Sequence, residues 1–295
     1  MMTEGTDLAW SSYARNLRLR KRSLDTIKAY KFTYDQISRW AGKPAVELTR
    51  ADIEEWMVYR LDVVSPARVS QDTLNLKIFF KWAVAEEWVK TNPMEKIPLA
   101  EVEVAPRRVM SEAELKAIIK ACSGTSFIDV RDTAIIRILC EVGTPRLGEM
   151  IAMTMGSIDF GHDLITLVGK TGTRYIPIGD KSAVALERYL RVRNRHRLAG
   201  LDALWIGKMG PLKRGGFQVM IKRRARMAGI AGSVFPHLFR HATASRASAA
   251  GLSDSLLEPL YGWADGSRMP RVYGAATRVV RAQQAARHIK LGDQL

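Results

Sequence analysis

Between Pro98 and Val109 a chain that is otherwise periodic loses its period. The stretch holds Pro98 and Pro106, acidic Glu101 and Glu103, and then Arg107-Arg108. Each proline lacks an N–H and pins φ, so no helix runs through it. This break predicts an N-terminal unit of residues 1–97, a linker of residues 98–109 and a C-terminal unit of residues 110–295. Two units suit a chain of 295 residues, since domains commonly hold about 100–200 residues.

The N-terminal unit reads as helices throughout. Thr6 or Asp7 caps a segment carrying Trp10, Tyr13, Ala14 and Leu17 on one face, and a basic cluster of Arg18, Arg20, Lys21 and Arg22 follows. Ser23 caps a second helix with Ile27, Tyr30, Tyr34, Ile37 and Trp40 at spacings of three and four, which Gly42 and Pro44 end. Thr49 and Asp52 form a capping box before Ile53, Trp56, Met57 and Leu61. A fourth helix is expected from about Ser70 through Leu74, Ile78, Phe79, Trp82 and Val84, with Asn92-Pro93 as a stop. Core packing is the expected role of these aromatics.

The second unit opens on another capping box, Ser111 with Glu114, ahead of Leu115, Ile118 and Ile119. An apolar helix over about 131–141 is interrupted by Gly143-Thr144-Pro145-Arg146. From Ser157 the pattern changes to short β-prone runs, Ile158, Leu164–Val168 and Tyr175–Ile178, separated by Gly161 and Gly169-Lys170-Thr171-Gly172. Helices return from about Lys181. The expected class is mainly α with a small antiparallel sheet, α+β.

Charge narrows the partners. Lys and Arg number 46 against 30 Asp and Glu, a formal +16, which points to a polyanion such as nucleic acid or an acidic membrane surface. Residues 181–226 contribute heavily, with only Glu187 and Asp202 among many arginines and lysines; these cations are expected to touch phosphates or form a solvated face. No apolar run reaches the roughly 20 residues of a membrane span, and the N-terminus lacks the apolar core of a signal peptide. Two cysteines, Cys122 and Cys140, cannot build a disulfide framework or a cysteine-rich zinc site, so a reducing cytoplasm fits.

Two features imitate other chemistries. Gly169-Lys170-Thr171 resembles the end of a Walker loop, but Leu164 occupies the place of its first glycine and the loop lies between strands. His237 and His241 stand four apart, but Leu238-Phe239-Arg240 supplies no carboxylate and Arg240 repels a cation. Neither a nucleotide, a metal nor another cofactor is expected. The same segment makes a better anion site. If Pro236 opens a helix, His237 and Arg240 share a face of its first turn, where free N–H groups and the dipole attract negative charge. Arg146 in its broken turn, Lys170 at the hairpin tip, Gly262-Trp263 and Arg271-Val272-Tyr273 add further polar groups to the second unit.

In this order the residues resemble the tyrosine recombinase (phage integrase) family. Its members carry an arginine after a Thr-Gly-type turn, a hairpin lysine, a His-x-x-Arg, a Gly-His or Gly-Trp, and a nucleophilic tyrosine. Arg146, Lys170, His237 with Arg240, Trp263 and Tyr273 match these places. The N-terminal helices resemble the family's core-binding, SAM-like domain, so nearly the whole chain is covered. Two departures stand out. Pro145 precedes the arginine and stiffens its turn. The step from Trp263 to Tyr273 is one residue longer than usual and holds Gly266 and Pro270, so a loop is expected there. Tyr261 is the rival nucleophile, but beside Gly262-Trp263 packing suits it better.

The resemblance implies a site-specific recombinase that cleaves and rejoins double-stranded DNA through a 3′-phosphotyrosyl link. It implies Arg146 and Arg240 on the scissile phosphate, Trp263 and His237 as further donors, Lys170 as general acid and Tyr273 as nucleophile. It also implies a two-domain clamp on duplex DNA and a homo-tetramer on synapsed sites. A monomer or dimer is expected when the chain is free, with an accessory directionality protein possible. The tail after Tyr273, with Val279, Val280, Ala285 and Ile289, is expected to pack on a neighbouring protomer. No segment is expected to precede the core-binding domain, which points to a compact phage or mobile-element integrase in a bacterial cytoplasm. A Xer-like dimer resolvase is the alternative within the recombinases. Type IB topoisomerase chemistry and a non-catalytic architectural DNA-binding protein are the remaining readings.

Overall fold

The computed structural model describes residues 7–101, 108–170 and 172–274, together with Gln283 and Arg287. The tail residues Val279, Val280, Ala285 and Ile289 lie outside the described residues, as do residues 102–107. The chain divides into two compact units, residues 1–106 and 107–295. Among the described residues no helix is long and apolar enough to cross a membrane.

The first unit holds four helices, α1 (Leu8–Leu19), α2 (Leu24–Ala41), α3 (Arg50–Val63) and α4 (Pro66–Ala85). Their starts follow the capping signals. Asp7, Ser23 and Thr49 each accept a hydrogen bond from a first-turn N–H, and Asp52 returns the bond to Thr49 N–H at 2.7 Å. Gly42 ends α2 in the left-handed region at φ +69°. Helix α4 starts at Pro66, four residues before the expected start. Pro66 sits in its first turn, where the missing N–H costs nothing. Its inner face is Val69, Leu76, Phe79, Phe80 and Ala83, whereas Leu74, Ile78, Trp40 and Leu61, all expected in apolar faces, are exposed. Trp40 instead stacks on Tyr59, with ring centroids 6.2 Å apart.

An aromatic cluster fills this unit, with Tyr13 4.8 Å from Trp82 and 5.3 Å from Phe79. One carboxylate is buried within it. Asp72, 1% exposed, accepts from Thr33 Oγ1 at 2.8 Å and Arg60 Nη2 at 2.9 Å, and pairs with Arg68 at 2.9 Å. Its three partners lie on three helices, so the group ties α2, α3 and α4 together.

The second unit begins with α5 (Glu112–Lys120), α6 (Phe127–Leu139) and α7 (Leu147–Ala152). The Ser111–Glu114 box caps α5, and α6 starts earlier than expected because Ser126 caps it. Then come β1 (Ile158–Asp159), β2 (Leu164–Gly169) and β3 (Gly172–Pro177), an antiparallel sheet in the order β1-β2-β3. Four helices follow: α8 (Asp180–Arg193), α9 (Arg214–Met227), α10 (Pro236–Ala249) and α11 (Asp254–Tyr261).

Strand alternation turns Ile165, Leu167 and Ile176 into the core and leaves Val168 and Tyr175 outside. Helix α10 carries Ala242, Thr243, Ala244, Ser245, Ala247 and Ser248, small residues that let it be buried along most of its length. Two of the basic residues between 181 and 226 belong to the interior and not to a phosphate-binding surface. Arg193 donates to the carbonyls of Ala199, Leu201, Ala203 and Leu204. Arg224 bonds Asp129 and Asp132, each at 2.8 Å.

Replacing Asp72 with Ala leaves Arg60 buried without its counter-charge. Unfolding of the first unit should become easier by about 3–5 kcal/mol. Denaturant titration checks this by tryptophan fluorescence, because five of the seven tryptophans lie there.

Candidate active site

The turn between α6 and α7 makes the first part of the site. Gly143 adopts φ +79°, and a Cβ there would stand 2.6 Å from Ile176 Cγ2 and 2.7 Å from the Leu260 carbonyl oxygen. Only glycine allows β3 and the end of α11 to approach this turn so closely. Arg146 then caps α7. Its backbone N–H donates to Glu149 Oε2 at 2.6 Å, its Nη1 to Glu149 Oε1 at 2.9 Å, and its Nη2 to the Gly262 carbonyl at 2.7 Å. Glu149 is 3% exposed. Burial raises its pKa, but the hydrogen bonds and charges of Arg174 and Arg146 outweigh this and hold the carboxyl below its ordinary value.

Pro236 opens α10, as its position in the sequence suggests, and places His237 and Arg240 in the first turn. His237 is exposed and Arg240 is 2% exposed. Arg240 Nη1 donates to the Thr144 carbonyl at 2.7 Å and Nη2 donates to the Tyr261 carbonyl. Its guanidinium lies over the rings of Tyr261 at 4.9 Å and Trp263 at 5.5 Å. Burial, with the like charges of Arg146 and Arg174, pushes its pKa down to about 10. Arg240 remains protonated at neutral pH.

Residues 262–268 leave the helix, as the glycine and proline between Trp263 and Tyr273 suggest, and a helical segment restarts at 269 with Tyr273 in it. The Tyr273 ring stacks on Trp263 at 5.2 Å and 10°, with the edge of His241 at 4.6 Å. The Tyr273 hydroxyl lies 2.9 Å from His237 Nε2. Ser245 Oγ donates to the Tyr273 carbonyl at 2.7 Å and fixes the backbone on α10. Tyr261 is fully buried. Its hydroxyl donates to Thr243 Oγ1 at 2.9 Å, and its ring stacks on Trp263 at 4.9 Å. It packs, as expected of the rival.

Lys170 lies at the tip of the β2–β3 hairpin, in the turn closed by the Gly169–Gly172 pair, and is exposed. A Cβ on Gly169 would stand 3.0 Å from Glu149 Cγ, so the hairpin end abuts the carboxylate that holds Arg146.

Arg146, His237 and Arg240 line one cleft of about 380 Å³, with Pro145, Leu147, Gly148, Arg214, Gln218, Phe235 and Pro236. Trp263 and Tyr273 join through their contacts with Arg240 and His237, and Lys170 stands outside the cleft lining. Arg214 belongs to the basic stretch 181–226, whereas Gln218 and above all Arg174 do not stand out in the sequence reading. Arg174 points inward from β3 and bonds Glu149 Oε2 at 2.7 Å and the Gly143 carbonyl at 2.7 Å. Its signal is register: it sits two residues before Ile176, on the inward side of the strand. Chemically, the cleft offers two guanidinium groups for a tetrahedral anion and a phenol held against an imidazole that can take its proton.

Residues 108–278 match the phage integrase family, and residues 11–90 match the family's N-terminal SAM-like domain. The tyrosine recombinase XerD of Ralstonia nicotianae is 26% identical over 273 residues, 90% of this chain and 88% of that one. The tyrosine recombinase XerC of Roseiflexus is 27% identical over 82% of this chain and 81% of its own. Among solved structures, the Tn1549 transposon integrase in complex with transposon right end DNA has a TM-score of 0.73 at 18% identity, covering 94% of this chain and 99% of that one. A lambda integrase tetramer bound to a Holliday junction has a TM-score of 0.69 at 20% identity, covering 90% and 76%.

Gly262 ends α11 at φ +59°, and a Cβ there would lie 3.0 Å from Arg174 Cδ and 3.1 Å from Arg146 Nη1. Gly262→Ala should therefore destabilise the second unit by about 1–3 kcal/mol. Calorimetry would register this as a lower unfolding midpoint of that unit.

Proposed function

The chain belongs to the phage integrase family and is a tyrosine recombinase, a site-specific enzyme that cleaves and rejoins DNA, and we propose that Tyr273 is its nucleophile. The observation that carries the assignment is the Tyr273 hydroxyl 2.9 Å from His237 Nε2, next to a cleft lined by Arg146 and Arg240. The phenol oxygen attacks the scissile phosphorus and its proton passes to His237. Negative charge gathers on the non-bridging oxygens, where Arg146 and Arg240 meet it with donors already oriented by Glu149 and by the carbonyls of Gly262, Thr144 and Tyr261. Trp263 supplies a further N–H. The P–O5′ bond breaks, and Lys170 gives its proton to the departing 5′ oxygen. The products are a 3′-phosphotyrosyl link and a free 5′-hydroxyl. A 5′-hydroxyl from a second duplex reverses the same steps, so bond energy is kept and neither ATP nor a metal is called for.

The partner is double-stranded DNA. Four protomers on two synapsed duplexes are the working assembly we propose, with lambda integrase as the structural parallel and the cytoplasm, at the nucleoid, as the place of work. Integration or excision of a phage or mobile element is the role we favour, in line with the likeness to transposon and lambda integrases. Dimer resolution of the Xer kind is the second reading, favoured by the near full-length match to XerD. Sequencing the DNA fragments this chain retains from host and element genomes separates the two. An architectural, non-catalytic role leaves the phenol–imidazole pair without a use.

Tyr273→Phe should bind its DNA with unchanged affinity and form no covalent adduct on a nicked suicide duplex, read by a gel shift under denaturing conditions. A persistent adduct would move the nucleophile elsewhere. Lys170→Ala should slow cleavage by about 100-fold. A duplex with sulfur in place of the bridging 5′ oxygen has a leaving group that needs no proton, so it should remove that deficit. If the deficit remains with the sulfur substrate, Lys170 is not the acid.

A further inference from the structure

Arg174 is a buried cation whose side chain is only 8% exposed. A guanidinium has five N–H donors in a planar fork, and here each has an acceptor. Nε donates to Glu149 Oε1 at 3.3 Å. Nη1 donates to the Gly143 carbonyl at 2.7 Å and to the Leu260 carbonyl. Nη2 donates to Glu149 Oε2 at 2.7 Å and to the Thr144 carbonyl at 3.3 Å. No donor is left over for a phosphate.

The acceptors are shared with the two arginines of the cleft. Glu149 takes Arg146 Nη1 as well, and the Thr144 carbonyl takes Arg240 Nη1 as well. Gly262, whose carbonyl holds Arg146 Nη2, is packed against the Arg174 side chain. Three separate pieces of chain therefore meet on this one group: the turn before Arg146, helix α7 and the end of α11. Its strand also carries the hairpin whose tip bears Lys170.

If the role were only to fill the interior, a well-packed apolar side chain would serve as well or better. Arg174 instead places a third positive charge beside Arg240, where it disfavours the protonation the site needs. That disadvantage has to be offset by what the fork arranges. We propose that Arg174 is a positioning residue for DNA-strand cleavage: it sets the poses of both Arg146 and Arg240 on the scissile phosphate and does not touch the DNA itself. The proposal rests on phosphodiester cleavage by this site, as given above.

The test is single-turnover cleavage of the nicked suicide duplex at saturating DNA, with wild-type chain and Tyr273→Phe in parallel. Arg174→Gln should cleave about 100-fold more slowly, the loss expected for reacting groups misplaced by about 1 Å. Its DNA affinity should stay within about threefold of wild type with the same salt slope, because a residue without a phosphate contact releases no counterions. The pH profile gives a readout that a purely structural role would not move. The charged groups facing Glu149 are Arg146, Arg174 and, further off, Arg240. Without Arg174, burial pushes the Glu149 carboxyl up, so it protonates and releases Arg146 at a higher pH. Cleavage by Arg174→Gln should then fall off earlier toward acid than wild type, and adding Glu149→Gln should abolish that fall.

Arg174→Lys restores the charge but brings only three donors, so its pH profile should return to that of wild type at an intermediate rate. It also carries the test if Arg174→Gln does not fold: a slower rate at unchanged affinity supports the proposal, and a wild-type rate overturns it. A wild-type rate for Arg174→Gln overturns it too, as does a joint loss of affinity and rate with an unmoved pH profile. Failure of the wild-type chain to form an adduct, or adduct formation by Tyr273→Phe, would count against the nucleophile and is read separately from the Arg174 variants.

Discussion

One buried carboxylate organises the catalytic unit. Glu149 accepts from Arg146 on one side and from Arg174 on the other, with the hairpin glycine Gly169 against its stem. An isolated carboxylate at this depth would be costly. Two guanidinium groups make the ionised form the favoured one, and both are held in place by it. Because Arg146 lies before α7 and Arg174 on β3, the pair joins a helix turn to the sheet, and the Arg174 fork extends the join to the end of α11.

The arrangement gathers more positive than negative charge on purpose. Arg146, Arg174 and Arg240 lie around a single carboxylate, and the pKa of Arg240 falls to about 10 because it is buried among like charges. In the free protein this is unfavourable. Under the mechanism proposed above, a phosphate in the cleft relieves it, and the more so as negative charge builds on the non-bridging oxygens. The stack of Tyr261, Trp263 and Tyr273 serves the same end. It gives Arg240 two aromatic faces, and it holds the Tyr273 ring so that the hydroxyl meets His237.

Much of the local structure was legible because its cause is local. Asp7, Ser23, Thr49 and Ser111 cap the helices that follow them, since a cap is a bond between a side chain and an N–H two or three residues on. Pro236 marks a helix start for the same reason, and the Gly169–Gly172 turn marks a hairpin. Apolar character alone does not fix burial. Leu74, Ile78 and Leu61 have the right character and the wrong side of the helix. The early start of α4 leaves no apolar signal, because its first turn carries Pro66, Ala67 and Arg68. Arg193 and Arg224 looked like surface cations, and only their partners, carbonyls and aspartates brought close by folding, show that they are interior groups.

The order of Arg146, Lys170, His237, Arg240, Trp263 and Tyr273 along the chain was enough to name a chemistry, because the residue types of a reaction survive in sequence even when their distances do not. What only the tertiary structure decided is who holds whom. Nothing in the sequence says that the inward-facing residue of β3 would meet Glu149 from α7 and the carbonyls of Gly143, Thr144 and Leu260. Such a contact depends on strand register and helix packing, which are settled by the whole core at once. The sequence by itself determined which residue types stand in the family's order along the chain. The fold determined how they are held relative to one another, through a seventh residue, Arg174, whose donors all go to Glu149 and to backbone carbonyls.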